Sequence, residues 1–393
     1  MRFSPLVDRI GGRRVTAWDL HKQAVAAERR GEDVIVLSVG DPDFATPAPI
    51  VESAVAALRA GDTHYTDLAG RPALRAAIAR EHERRSGQKV APENTIFLAG
   101  AQNGIAFSAL CLCAPGDEVL VPEPMYLTYE ASIGIAGATL VPVPQQRETG
   151  FRLDVEALHR AVTPRTRALF FATPCNPTGA VMRRDELEAI AALAQAHDLW
   201  VVADEAYATL AFEQPHLSIA ALPGMAERTV TLGSLSKSHA MAGWRAGWAV
   251  APPALIGHMT NLALCTLYGL PGFIQEAARV ALDEGGAARE LMRATYRRRR
   301  DQLYDRLALV EGLHCLNPEA GMFMLADVSA TGLAAQDFAW RLYREAGVAV
   351  LDAGAFGASA EGCVRISFVA GEERLAEAAR RIAGFVAGLM GQR

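Results

Sequence analysis

Several features that would settle the class of this chain at once are missing from its sequence. No apolar run approaches the roughly 18 residues that a membrane-crossing helix needs, and the opening stretch, MRFSPLVDRIGGRR, has no secretory apolar segment. A cytoplasmic chain without a membrane anchor is therefore expected. Positive charge is not in excess: 39 Lys+Arg against 44 Asp+Glu leave a net charge of −5. That balance argues against a general nucleic-acid binder, because phosphate affinity needs concentrated Lys and Arg. The one basic run, Arg297 to Arg300, lies in a helical pattern and reads as a solvated helix face. Cysteines number only six, scattered at Cys111, Cys113, Cys175, Cys265, Cys315 and Cys363. Cys111 and Cys113 form a C-x-C without a nearby second pair or histidine, so no metal site is expected and all six read as free thiols. No G-x-G-x-x-G follows the first strand, which removes a Rossmann dehydrogenase.

What is present is a large apolar fraction, 51%, with 21% charged residues over 393 positions. Such a chain can bury a sizeable core and is not disordered. Short apolar runs at Asn94–Leu98, Glu118–Val121, Ala138–Val143, Ala168–Ala172, Leu199–Ala203 and Thr229–Leu232 read as buried strands. Helical patterns such as Ala101–Cys113 and Arg184–His197 lie between them. This alternation predicts an α/β fold, a mostly parallel, mixed sheet with helices on both faces. From about residue 290 a long charged helix begins, followed by strand-like GMFMLADV and CVRISFV around a helix near Asp337–Ala346. The expected organisation is an N-terminal segment 1–45, a large domain 46–290 and a small α+β domain 291–393 that the N-terminal segment joins.

In sheets of this kind, functional groups gather at the carboxyl ends of strands, and four of the predicted strands end in unusual chemistry. LAGAQNG offers Gly100 and Ala101 at a helix start, where free N–H groups suit an anion. TPCNPTG holds Asn176 between two prolines, as a pointed side chain or an ordinary Asx turn. LWVVA runs into Asp204, Glu205, Ala206 and Tyr207; Asp204 is either a helix cap or a carboxylate awaiting a cation. TVTLGSLSK brings Lys237 beside Ser234 and Ser236, eight residues before Arg245, the makings of an amine nucleophile next to a phosphate grip. Together these groups call for a ligand with a phosphate, an aldehyde, a ring nitrogen and a phenolic oxygen. Pyridoxal 5′-phosphate has all four.

GDPDF, HYTDLAG, GAQNG, EPMYLTY, NPTG, ADEAY, SLSKSHAMAGWRAGW and VRISF occur in this order over nearly the whole chain. The series resembles the class I aminotransferases of pyridoxal-phosphate fold type I. The resemblance implies that Lys237 bonds to the cofactor aldehyde, that Asp204 pairs with the pyridine nitrogen, and that Asn176 and Tyr207 bond its 3′-oxygen. It further implies that Ser234, Ser236, Arg245, Ala101 and Gln102 hold the phosphate, that Tyr126 stacks on the ring, and that Tyr65 reaches the phosphate from the other subunit of a homodimer. Gly40 and Arg365 are the implied contacts of the substrate α-carboxylate. Amino-group transfer from an L-amino acid to a 2-oxo acid follows, with arginine and pyruvate as the expected pair. Asp67 stands where many of these enzymes have proline, and with Asp19 it is a candidate for meeting a cationic substrate side chain. An aspartate, aromatic or methionine aminotransferase using 2-oxoglutarate, or a β-lyase on the same fold, is the alternative. A transcriptional regulator with such a domain would need a DNA-binding module ahead of residue 1, and none is expected there. His239 is expected to pack or face solvent rather than to take part in chemistry.

Overall fold

The computed structural model describes residues 1–11 and 17–391. The alternating runs form a seven-stranded sheet in the order Thr95–Leu98, Gly247–Val250, Thr229–Ser234, Trp200–Asp204, Thr166–Ala172, Glu118–Glu123, Thr139–Pro144. All neighbours are parallel except Gly247–Val250, which runs antiparallel to the strands on both sides. The central strands are buried on both faces, which is why they read as continuous apolar runs rather than alternating ones. Helices Ala101–Leu112 and Pro253–Thr266 pack on one face, and Val155–Ala161 and Arg184–Ala196 on the other, as expected for an α/β sandwich.

A mixed sheet was expected, but Gly247–Val250 was not among the strands read from the sequence. It is four residues long and sits inside the glycine-rich stretch after Lys237. Its neighbour Gly233 has to be glycine, since a Cβ there would lie 2.2 Å from the Trp248 indole.

A second, antiparallel sheet has the order Leu351–Asp352, Cys363–Ser367, Phe323–Asp327, His314–Cys315. Ile35–Val36 pairs in parallel with Val348–Ala349 beside it. Leu20, Ala24, Ile35 and Leu37 share one core with Phe338, Ile366, Ile382 and Val386, so both ends of the chain contribute to this layer. The short helix Leu6–Gly11 lies against Tyr129–Ile135 of the large sheet layer.

The basic run corrects the expectation of a solvated face. Helix Gly286–Leu307 passes between the two layers, so Arg299 and Arg300 turn inward and are buried. Arg299 donates to both Asp43 carboxylate oxygens at 2.8 and 2.9 Å, and Arg300 donates to Glu213 at 2.7 Å and to the Pro318 carbonyl at 2.8 Å. Arg297 and Arg298 remain on the surface in ion pairs with Glu213 and Glu372. All six cysteines are unpaired, and burial pushes the Cys113 and Cys315 thiols up to about 12. Among the described residues no group of three or more His, Cys, Asp or Glu is arranged to hold a metal, and no helix is long and apolar enough to cross a membrane.

Candidate active site

One cavity opens at the carboxyl ends of the central strands. Ala101, Gln102 and Tyr126 form one wall, Asn176, Asp204 and Tyr207 a second, and Ser234, Ser236, Lys237 and Arg245 a third. Lys237 lies in the four-residue helix Leu235–Ser238, which follows directly on Thr229–Ser234 and is capped by the Ser234 hydroxyl accepting from the Ser236 N–H at 3.1 Å. Its Nζ donates to the Gly40 carbonyl at 2.5 Å. Burial, opposed by Asp41 and helped by Arg365 and Arg245, brings the amine down to about 8. The chain has just three lysines, and the other two, Lys22 and Lys89, are exposed.

Asp204 ends the strand Trp200–Asp204. The Tyr129 hydroxyl donates to its Oδ2 at 3.0 Å and the Ala206 N–H to its Oδ1 at 3.1 Å. Burial raises its pKa, and no cation pairs with it among the described residues. Next to it, Glu205 points the other way, accepting from Arg85 at 2.9 Å and lying 3.2 Å from His216. Burial of Glu205 is more than offset by its contacts with His216 and Arg85, leaving its carboxyl at about 2.

Arg365 is fully buried on the Cys363–Ser367 strand, clamped between the Phe323 and Phe356 rings at 4.1 and 4.7 Å from their centroids. It donates to Asn176 Oδ1 at 2.9 Å and to the Ser38 carbonyl at 2.8 Å, while its Nε–H has no partner. Burial lowers it to about 10, and no carboxylate pairs with it among the described residues. A guanidinium in that setting is an unfinished ion pair, suited to an incoming carboxylate. Gly40 belongs to the same corner: a Cβ there would fall 2.0 Å from the Phe323 ring that supports Arg365.

The anion end is built from backbone. Gly100, at φ 85, precedes helix Ala101–Leu112 without a side-chain cap, so the N–H groups of Ala101 and Gln102 lack intrahelical acceptors. A Cβ on Gly100 would sit 2.7 Å from Arg245 Nη2. Arg245 itself adopts the left-handed φ of 56 and donates only to carbonyls, those of Ala242 at 2.8 Å and Ala99 at 3.1 Å. The Gln102 side chain is committed elsewhere, donating to Ser132 at 2.8 Å and accepting from Thr128 at 2.6 Å.

The structure does not bring every candidate to this cavity. Tyr65 is exposed and rests its ring on Tyr268, with centroids 4.8 Å apart, in a separate cleft. Asp67 is exposed near it, its carbonyl accepting from the Gly70 N–H at 2.9 Å. Asp19 lies on the outer face of helix Ala17–Arg29, 3.7 Å from Lys22. His239 is buried against Gly285 with Nδ1 2.7 Å from the Ser238 hydroxyl, and burial lowers it to about 4, in keeping with a packing role. Sequence reasoning missed Tyr129 and Ser38. Tyr129 stands three residues after Tyr126 in EPMYLTY, a spacing that puts two aromatics on one side of a turn.

The residues present fit pyridoxal phosphate. The buried Asp204 lacks the cation that a protonated ring nitrogen provides, and the helix start, paired serine hydroxyls and Arg245 form a cradle for a dianion. A fold with this sheet, this lysine and this aspartate defines a pyridoxal-phosphate enzyme of the transaminase type. The chain belongs to the class I and II aminotransferase family, whose model matches residues 32–382, and the family depends on pyridoxal phosphate. It is 53% identical, over all of both chains, to the arginine–pyruvate transaminase AruH of Pseudomonas aeruginosa. It is 39% identical to an aspartate aminotransferase of Pyrococcus abyssi, covering 89% of this chain and 91% of that one. Among solved structures, Thermus thermophilus aspartate aminotransferase with maleate superposes with a TM-score of 0.92 at 36% identity, over 98% of this chain and 100% of the other.

Proposed function

We propose that this aminotransferase moves the α-amino group of L-arginine to pyruvate, within a cytoplasmic homodimer. The observation that carries the substrate choice is full-length 53% identity to a protein named for that reaction, against 39% for a relative named for aspartate. Aspartate or aromatic specificity is the second reading, favoured by relatives of 39% and 38% identity named as an aspartate and an aromatic-amino-acid aminotransferase.

When bound, the cofactor supplies an aldehyde for the amine and a ring that takes up the electron pair left on Cα. The chain's residues do the rest. Arg365 binds the substrate α-carboxylate through its fork and, with the Gly40 backbone, fixes the direction of the Cα–H bond. The Lys237 amine, neutral above about pH 8, takes the Cα proton. Asp204, backed by the Tyr129 hydroxyl, keeps the ring nitrogen protonated, and Asn176 with Tyr207 holds the phenolic oxygen. Ser234, Ser236, Arg245 and the Ala101 and Gln102 amides grip the phosphate, and Tyr126 stacks on the ring. Tyr65 reaches the phosphate across the dimer, bringing Asp67 to the mouth, where its carboxylate faces the guanidinium of the substrate. The segment from Ala17 to residue 45 joins 291–393 in the smaller unit that covers 46–290, while Leu6–Gly11 lies on the larger one. Since the 2-oxo acid product leaves before the acceptor enters, the kinetics are ping-pong.

The test is kcat/KM for arginine, aspartate, methionine and kynurenine, each with pyruvate and with 2-oxoglutarate. Arginine with pyruvate should lead. Aspartate with 2-oxoglutarate in the lead would overturn the substrate choice, and ammonia release without any 2-oxo acid would mark a lyase.

A further inference from the structure

His21 reaches the carboxylate clamp through one intermediary. It lies on helix Ala17–Arg29, with Nδ1 2.9 Å from the Ser38 hydroxyl and its ring edge-on to Trp18 at 5.6 Å. Ser38 is completely buried. Its carbonyl accepts from Arg365 Nη2 at 2.8 Å, so one serine joins the helix, through its hydroxyl, to the guanidinium, through its backbone. The residue just before it is fixed to two strands, the Leu37 N–H donating to Ala349 at 2.8 Å and the Leu37 carbonyl accepting from Ser367 at 2.9 Å. Leu37 is thus held by backbone bonds, and the Ser38 side chain by His21. The ring is itself lowered in pKa by burial and by the Arg365 charge, with Glu28 opposing, so it meets Ser38 as a neutral imidazole.

We propose that His21 is a positioning residue for substrate binding: by holding Ser38, it aims the Arg365 fork at the α-carboxylate. The proposal rests on Arg365 being the carboxylate site. The ammonium and side chain of the substrate are untouched by this chain of contacts, so the effect belongs to every amino-acid substrate alike. Lys237 meets this stretch only through the Gly40 carbonyl, two residues beyond Ser38, and Asp204 stands on another element, so the larger effect belongs to binding rather than to proton transfer.

The experiment uses holoenzyme carrying His21→Ala, His21→Asn, His21→Gln or Ser38→Ala, with steady-state kinetics for two amino acids of different side chain. His21→Ala and Ser38→Ala should each raise KM for both amino acids about fivefold, the equivalent of one neutral hydrogen bond, with a much smaller change in kcat. Asn places an amide where Nδ1 stood and should restore KM; Gln matches the other ring nitrogen and should not. The double variant His21→Ala/Ser38→Ala should be no worse than either single one, as for two parts of one contact. An unchanged KM in Ser38→Ala, additive effects in the double variant, or equal rescue by Asn and Gln would overturn the proposal. Arg365→Lys separates the two readings. If it leaves KM unchanged, the carboxylate site itself is misplaced; if it raises KM while the His21 and Ser38 variants do not, only the positioning role fails.

Discussion

Lys237 shows how one side chain acquires reactivity from its surroundings. An ordinary lysine at pH 7 is neutral in fewer than about one molecule in a thousand, whereas one titrating near 8 is neutral in roughly a tenth. The shift is downward, so the neutral amine accumulates as pH rises through 8. The rate at which cofactor-free enzyme takes up pyridoxal phosphate should rise up to that pH and then level off. A rate still climbing toward 10.5 would show an unperturbed amine. Lys237→Ala should abolish amino-group transfer together with the visible absorbance that bound cofactor gives. Asp204→Ala should retain cofactor yet lose about a hundredfold or more in kcat, as for other groups placed against developing charge. Near-normal turnover would remove Asp204 from that role. Tyr129→Phe removes a single hydrogen bond to that carboxylate, and a loss of about fivefold in kcat is expected in the same assay.

At the level of elements, stability and legibility follow the same logic. Glu205 sits behind the active-site strand with Arg85 and His216, and its carboxyl is depressed from 4.5 to about 2. A depressed acid adds stability that is fully present above pH 4.5 and is lost as pH falls toward 2. The gap corresponds to roughly 3 kcal/mol, and Glu205→Gln should flatten the acid limb of an unfolding midpoint measured against pH. Arg299→Met, which strips Asp43 of its bidentate partner, should lower stability by about 2 kcal/mol in denaturant unfolding. The strands Thr166–Ala172 and Trp200–Asp204 were legible because burial on both faces leaves the continuous apolar runs Ala168–Ala172 and Leu199–Ala203 within and beside them. Gly247–Val250 was not, since its four residues owe their place to close contact with Gly233 rather than to propensity. Arg299 and Arg300 were misread for a related reason: a helix wedged between two layers has no single wet face, and charge inside it is compensated by residues far away in sequence. Of the site, the cavity wall could be read from strand ends. Its backing by Tyr129 and Ser38 could not, because those contacts exist only once separate elements meet.

The whole molecule has an exposed aromatic pair, Tyr65 at 84% and Tyr268 at 54%, in a cleft separate from the cavity that Tyr65 is proposed to serve. A dimer of the 42.0 kDa chain should therefore appear at twice that mass in sedimentation. Tyr65→Ala and Lys237→Ala subunits, each weak or dead alone, should recover activity when refolded together, because a mixed dimer regains one complete site. Mixtures no better than their components would place Tyr65 outside the site. The scarcity of lysine has a consequence for handling the protein. Free pyridoxal phosphate condenses with any accessible amine, and most proteins scatter decoys over their surface. Here the only side-chain competitors are Lys22 and Lys89, and Lys22 lies 3.7 Å from the Asp19 carboxylate. Titration with cofactor should thus approach one equivalent per chain with little background, making bound pyridoxal phosphate a direct count of folded active sites.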